Sequence, residues 1–302
     1  MKRYRTDLCL VLCGILIWFL TDAESVRRSA AASLALCAQS VIPALFPFLV
    51  VSNLLLALGF GTVIAPYLSG FMTPLFQLPG AASSPLLLGL VGGYPIGAQT
   101  AVALYRRGDL TADEAQRLLT FCNNSNPVFL ISVIGSGIFG SFRIGVYLWL
   151  IHVLSALLTG LLFRGKRAEK QTRRPPAPTC EAVSFSRALV EAVRSASFGM
   201  LSVCAFVVFF YVLARPFTSL NSPLGVTLVG LTELFSLTPL LSADRFSFIL
   251  ASGCAGWGGL SVLCQTAAVL DGTDLALRSC FLGKVTQGIV SALLAALIFP
   301  FL

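Results

Sequence analysis

Asn123-Asn124-Ser125-Asn126 is a run of uncharged polar residues that ends on Pro127 inside an otherwise apolar stretch. Proline lacks an N–H and disfavours helix at the residue before it, so the run predicts an unwound turn between two helical pieces. Amides there either line a polar cavity or bond the unwound backbone, because a buried polar group left without a partner costs about 1–3 kcal/mol. Gln99 and Thr100 carry the same two readings, and Ser261 and Gln265 join them as candidate lining residues. Lys284 and Gln287 lie one helical turn apart in a long apolar span, where a lysine is a functional candidate unless it snorkels or pairs with an acid. The chemistry of such a set is binding of a small polar solute. No catalytic residues are identified, since nothing resembles a catalytic triad, a P-loop or an HExxH motif. No metal site is expected from nine cysteines without a CxxC pair and a single histidine, His152, which reads as a core or interface residue.

The elements that must position these residues are membrane helices. Mean hydropathy is +0.87, and 56% of the 302 residues are hydrophobic against 11% charged, whereas soluble domains are about a quarter charged. The fold class is all-α, a polytopic helical membrane protein whose first partner is the lipid bilayer. The net charge of +8 suggests nucleic acid only superficially, because the basic residues cluster at the ends of apolar runs. That placement follows the positive-inside rule, and no nucleic-acid partner is expected.

Lys2, Arg3 and Arg5 precede an apolar run, Leu8 to Leu20, read as a retained first helix with a cytoplasmic N-terminus. Ser29 to Ser40 is expected to lie in the interface or begin a tilted helix, and Pro43 and Pro47 open the next span. Thr62 to Pro79, broken by Pro66, Gly70 and Pro74, is expected as an interfacial helix. Leu86–Leu90 and Ile96–Leu104 are half-bilayer arms joined at Gly92-Gly93-Tyr94-Pro95, which predicts a re-entrant hairpin with Arg106 and Arg107 marking its cytoplasmic exit. Thr111 and Glu114 then form a capping box that starts a helix.

Val146 to Phe163 returns inward and ends on Arg164, Lys166, Arg167, Lys170, Arg173 and Arg174, the firmest cytoplasmic anchor in the chain. Ser184 to Ser197 is amphipathic and leads into a crossing, Met200 to Leu213. Leu224 to Leu241, which contains Gly230, Glu233 and Pro239, is expected as another interfacial helix. Phe246–Ala251 and Leu260–Leu270, joined by a turn containing Gly256, Trp257, Gly258 and Gly259, are expected as a second hairpin. Its exit on Asp271 and Asp274 suggests the outer face. The glycines at both tips read as structural, supplying positive φ and close backbone approach.

This order implies four parts: 1–40, an N-terminal helix and interfacial segment; 41–163, a first repeat; 164–183, a basic cytoplasmic linker; and 184–302, a second, inverted repeat. Each repeat would hold a re-entrant hairpin and a broken transmembrane helix. Hairpins approaching the midplane from opposite faces make alternating access natural, with the site between them.

Gly92 to Ile131, GGYPIGAQTAVALYRRGDLTADEAQRLLTFCNNSNPVFLI, resembles the signature of YlbJ-type sporulation integral membrane proteins. These belong to the Gate, or nucleoside-recognition, family related to concentrative nucleoside transporters and to the FeoB membrane domain. The similarity covers about Pro43 to Phe299. It implies a role in endospore formation, either transport or sensing of a small polar solute or, alternatively, a non-transporting scaffold or channel component. In the nucleoside transporters the first hairpin carries a Gly-Gln-Thr-Glu turn. Here Gly97, Gln99 and Thr100 match while Ala101 stands at the glutamate position, which removes a carboxylate that would grip ribose hydroxyls. The second hairpin's Cys-Gly-Phe-Ala-Asn turn is answered by Cys254 to Gly258 without its asparagine, Trp257 keeping the aromatic character. The resemblance implies no bound cofactor beyond a coupling cation, sodium or a proton, and trimers among the relatives imply a homo-oligomer.

Overall fold

The computed structural model describes residues 2–165, 184–220 and 222–302, and every regular element among them is helical. The expected basic linker, 164–183, lies outside the described residues from 166 onward. Helix α1 (Lys2–Thr21) precedes α2 (Ala23–Leu36), a π turn (Cys37–Val41) and α3 (Ile42–Ala57). The last three join into a 35-residue apolar span. Ser29 to Ser40 is thus part of a crossing helix rather than an interfacial one, with Ser29 and Ser33 buried on its inner face. The widened π turn lies just ahead of Pro43, which can donate no helical hydrogen bond.

Helix α4 (Phe60–Phe76) is turned by 94° from the segment that follows it. Gly61 abuts Ser84 and Leu104, and Phe76 stacks on Phe121 at 4.9 Å. Both ends of α4 therefore pack against the first repeat, at the start of α5 and beyond the end of α7. The first hairpin forms as its sequence predicts, from α5 (Ser83–Gly92) and α6 (Ile96–Arg106). The two arms close on each other where Gly89 meets Gly97, and both glycines abut the backbone carbonyl of Cys122. Gly93 turns the chain at φ 86°, and the Tyr94–Pro95 peptide is cis.

Helix α7 (Ala112–Leu118) begins on the predicted capping box. The Glu114 carboxylate accepts from the Thr111 N–H at 2.8 Å, and Thr111 Oγ1 accepts from the Glu114 N–H at 3.3 Å. Asn123 to Asn126 is unwound, and the chain resumes in a π-helix, Phe129–Ser136, before α8 (Phe142–Leu162) returns to the α7 end. The amphipathic segment and the crossing expected after residue 184 merge into one 34-residue helix, α9 (Phe185–Thr218).

Two assignments are corrected beyond α9. Leu224 to Leu241 is not an interfacial helix but a half-length hairpin, α10 (Pro223–Thr232) and α11 (Leu234–Leu237), reversing at Glu233. Pro239 and Leu240 return to the groove lined by Arg215 and Thr218, where α9 ends, and Leu237 packs back onto Gly230. The reversal has a local cause. Glu233 is extended at φ −151°, ψ 124°, and its carboxylate caps the first turn of α11.

Conversely, Phe246 to Leu270 is not a hairpin, because α12 (Arg245–Trp257) and α13 (Gly259–Leu270) run on as one 26-residue span. Gly258 and Gly259, both at φ 87°, interrupt its hydrogen bonds without reversing the chain. Gly256 is not a turn residue but lets α12 approach the backbone of α14 (Leu277–Ile298) at Gln287 and Gly288. The aspartates after α13 do not mark the opposite face. Tyr105 donates to Asp274 Oδ1 at 2.5 Å and Arg106 to the Asp271 carbonyl at 3.0 Å, so these acids sit beside the base of the first hairpin.

The chain is an integral membrane protein. Five described helical runs are long and apolar enough to cross a bilayer, or six if the bent α4–α5 pair is one span. Hairpin, interrupted span and continuous helix occur in that order twice, first from α5 to α8 and again from α10 to α14.

A side chain at Gly97 would meet the Cys122 carbonyl and the Asn123 backbone, which cannot retreat. Gly97→Val is expected to destabilise the purified protein by about 3 kcal/mol or more. Gly70→Ala, where a methyl meets nothing within 4 Å, should melt like the parent. Thermal denaturation in detergent checks both.

Candidate functional site

Lys284 is fully buried on α14, and its Nζ has three oxygen neighbours. It donates to the Asn123 carbonyl at 2.8 Å, to Gln287 Oε1 at 2.7 Å and to the Tyr94 hydroxyl at 3.3 Å, and lies 4.9 Å from the centroid of the Tyr94 ring. Three acceptors match the three N–H bonds of an ammonium group. The helical spacing of Lys284 and Gln287 places both side chains on one face, and the glycine contacts between α12 and α14 bring that face against the other elements.

The amides continue the network in one direction. Gln287 Nε2 donates to Asn124 Oδ1 at 2.8 Å, and Asn124 Nδ2 donates to the Phe121 carbonyl at 2.8 Å. On the other side of Lys284, the Tyr94 hydroxyl donates to the Ala255 carbonyl at 2.5 Å. The lysine thereby joins the first hairpin tip, the unwound segment and both α12 and α14.

The rest of the polar run bonds backbone and neighbouring helices. Asn123 Nδ2 donates to Thr266 Oγ1 at 3.0 Å on α13. The Ser125 N–H donates to His152 Nε2 at 3.0 Å, so the buried histidine of α8 holds the unwound chain from outside. Asn126 Nδ2 donates to the Ala44 carbonyl at 2.7 Å, while its Oδ1 accepts from the Phe129 N–H at 2.8 Å and starts the π-helix.

Beside this network lies a cavity of about 10 Å³ whose lining includes Tyr94, Ser125, Asn126, Glu233 and Gln265, room for about one water molecule. Both hairpin tips reach it. Gly258 brings the break in the α12–α13 span against the Tyr94 ring, and Gly259 lets it approach Thr232 and Glu233. Gln265 Nε2 donates to Ser261 Oγ at 3.2 Å, but Gln265 Oε1 and Asn123 Oδ1 are buried with no hydrogen-bond partner. Glu233 accepts from the Ser236 N–H at 2.5 Å and the Ser236 hydroxyl at 2.7 Å. Its placement at the centre escapes the sequence reading, although an acid alone in an apolar run with serine three residues on is the pattern of a helix cap.

Other candidates stand apart from the Lys284 network. Gln99 is half-buried and faces α9 at Gly199, and Thr100 is buried on the same arm. Trp257 turns away from the polar centre, its Nε1 donating to the Leu231 carbonyl at 2.9 Å and its ring meeting Phe281 edge-on at 5.7 Å. Gly92 packs against Ser52 and Ile96, and Gly93 against Asn126. Among the described residues no group of three or more His, Cys, Asp or Glu side chains could hold a metal ion.

Residues 38–148 match the family described as Gate, nucleoside recognition. The chain is 29% identical over 303 residues to the sporulation integral membrane protein YlbJ of Bacillus subtilis (strain 168), covering 86% of this chain and 74% of that protein. Both findings agree with the resemblance carried by Gly92 to Ile131. No solved structure matches the chain.

The amide pair bridging the unwound segment and α14 is expected to couple energetically. Asn124→Ala and Gln287→Ala should each cost about 1–3 kcal/mol, and the double variant should lose less than their sum by about 1–2 kcal/mol. A double-mutant cycle of melting curves reads this coupling.

Proposed function

We propose that the chain is a membrane protein of endospore formation that moves or senses a small polar solute at the meeting point of its two hairpin tips. The observation that carries this reading is the convergence of Tyr94, Glu233 and the breaks at Asn123–Asn126 and Gly258–Gly259 on one enclosed cavity. Non-helical backbone at membrane depth is tolerated where it packs in protein or lines a cavity, and transporters bind solutes at such breaks. The acceptor-rich lining, with the Glu233 carboxylate and a Gln265 amide oxygen that lacks a donor, suits a solute that brings N–H or O–H groups. The sporulation role comes from the similarity to YlbJ.

The second half, α10 to α14, acts in this reading as an inverted copy of α5 to α8, its hairpin opening at the opposite end of the bundle. Rocking one half against the other would expose the cavity to each face in turn. By the positive-inside rule, Arg106, Arg107 and Arg164 and the basic linker sequence that follows support a cytoplasmic base for the first hairpin. A scaffold role is the second reading, favoured by the closed and tightly bonded centre around Lys284.

Screening polar solutes for a rise in melting temperature tests the proposal on the purified full chain. A binding solute should lose its effect in Glu233→Gln and be accumulated by proteoliposomes. If no solute in a broad screen shifts the melting curve, and Glu233→Gln supports wild-type endospore formation at normal abundance, the scaffold reading replaces it.

A further inference from the structure

Lys284 sits in a cage with the chemistry of a monovalent-cation site. Its ligands are uncharged oxygens of three kinds, the Asn123 carbonyl, the Gln287 amide and the Tyr94 hydroxyl, at 2.7 to 3.3 Å, with an aromatic face beside them. These distances suit ammonium or a potassium-sized ion. None of the ion pairs found among the described residues includes Lys284, so the single positive charge is met by dipoles alone. One helix end aims its negative pole at the place: the Ala255 carbonyl, in the last turn of α12, accepts the Tyr94 hydroxyl that faces Nζ. Divalent ions demand carboxylates or many oxygens, which this cage lacks.

We propose that Lys284 is a tethered cation, its ammonium group filling a site that would otherwise take up a free potassium-sized or alkylammonium ion. The Tyr94 hairpin tip, the unwound segment and α14 are thereby locked by a charge the chain supplies itself. On the reading that the chain moves a solute, its conformational cycle needs no sodium bound here. The cage itself does not depend on that reading, and its test measures no transport.

The test compares melting of the purified full chain in chloride salts of sodium, potassium, methylammonium and choline at equal ionic strength. The wild type should melt within about 1 °C across all four, while Lys284→Ala should melt lowest in choline and gain about 3 °C or more in potassium or methylammonium. Adding Gln287→Leu to Lys284→Ala should abolish that gain. The proposal is overturned if Lys284→Ala responds alike to all four salts or yields no folded protein in any of them. Selective stabilisation of the wild type by potassium over choline would also overturn it.

Discussion

An ammonium group buried among apolar helices must find an oxygen for each N–H, because an unmet charge at that depth costs several kcal/mol. Lys284 meets this demand with a backbone carbonyl, an amide and a phenol drawn from three separate elements. Each supplier is then constrained in turn. The Asn123 carbonyl is free only because the helix around it is unwound. The Gln287 oxygen is oriented because its nitrogen donates to Asn124, and the Tyr94 hydroxyl because its own proton goes to Ala255.

Such an arrangement asks for backbone approaches that side chains would block. Gly89 and Gly97 let the first hairpin touch the Cys122 carbonyl, and Gly256 lets α12 reach α14 at Gln287 and Gly288. Close approach brings the hairpin tip and α12 onto the segment that Lys284 bonds. The second hairpin reaches the same place from the Arg215 end by a different device, a single glutamate that breaks the helix and caps its continuation. Polar and steric constraints therefore act on the same few residues, and the remaining apolar surface supplies packing around them.

Much of this was legible in the chain. Half-length arms, a proline after four polar residues and a Thr-x-x-Glu box have local physical causes, and α5, α6, α7 and the break before the π-helix lie where those causes put them. The second hairpin was not legible. Its acid looked like a reason to keep Leu224–Leu241 at the surface, since only tertiary packing shows that Glu233 satisfies itself by capping α11. Paired glycines at 258 and 259 look alike in a turn and in a break, and the choice between them depends on α14 lying alongside α12. Asp271 and Asp274 were misplaced for a related reason, because a charge read without its partner gives no face. The spacing marks Lys284 and Gln287, but apart from each other their partners come from residues more than a hundred positions away.

On the proposed reading two half-hairpins enter from opposite faces, and their tips meet at the cavity beside the Lys284 network. Labelling single cysteines with a membrane-impermeant reagent in sealed, oriented vesicles measures that directly. Cysteines placed at Asp109 and Gly272, at the base of the first hairpin and the end of α13, should react from the same side. Cysteines at Ser222 and Ser242, flanking the second hairpin, should react only from the other. Labelling of all four positions from one side would contradict the account.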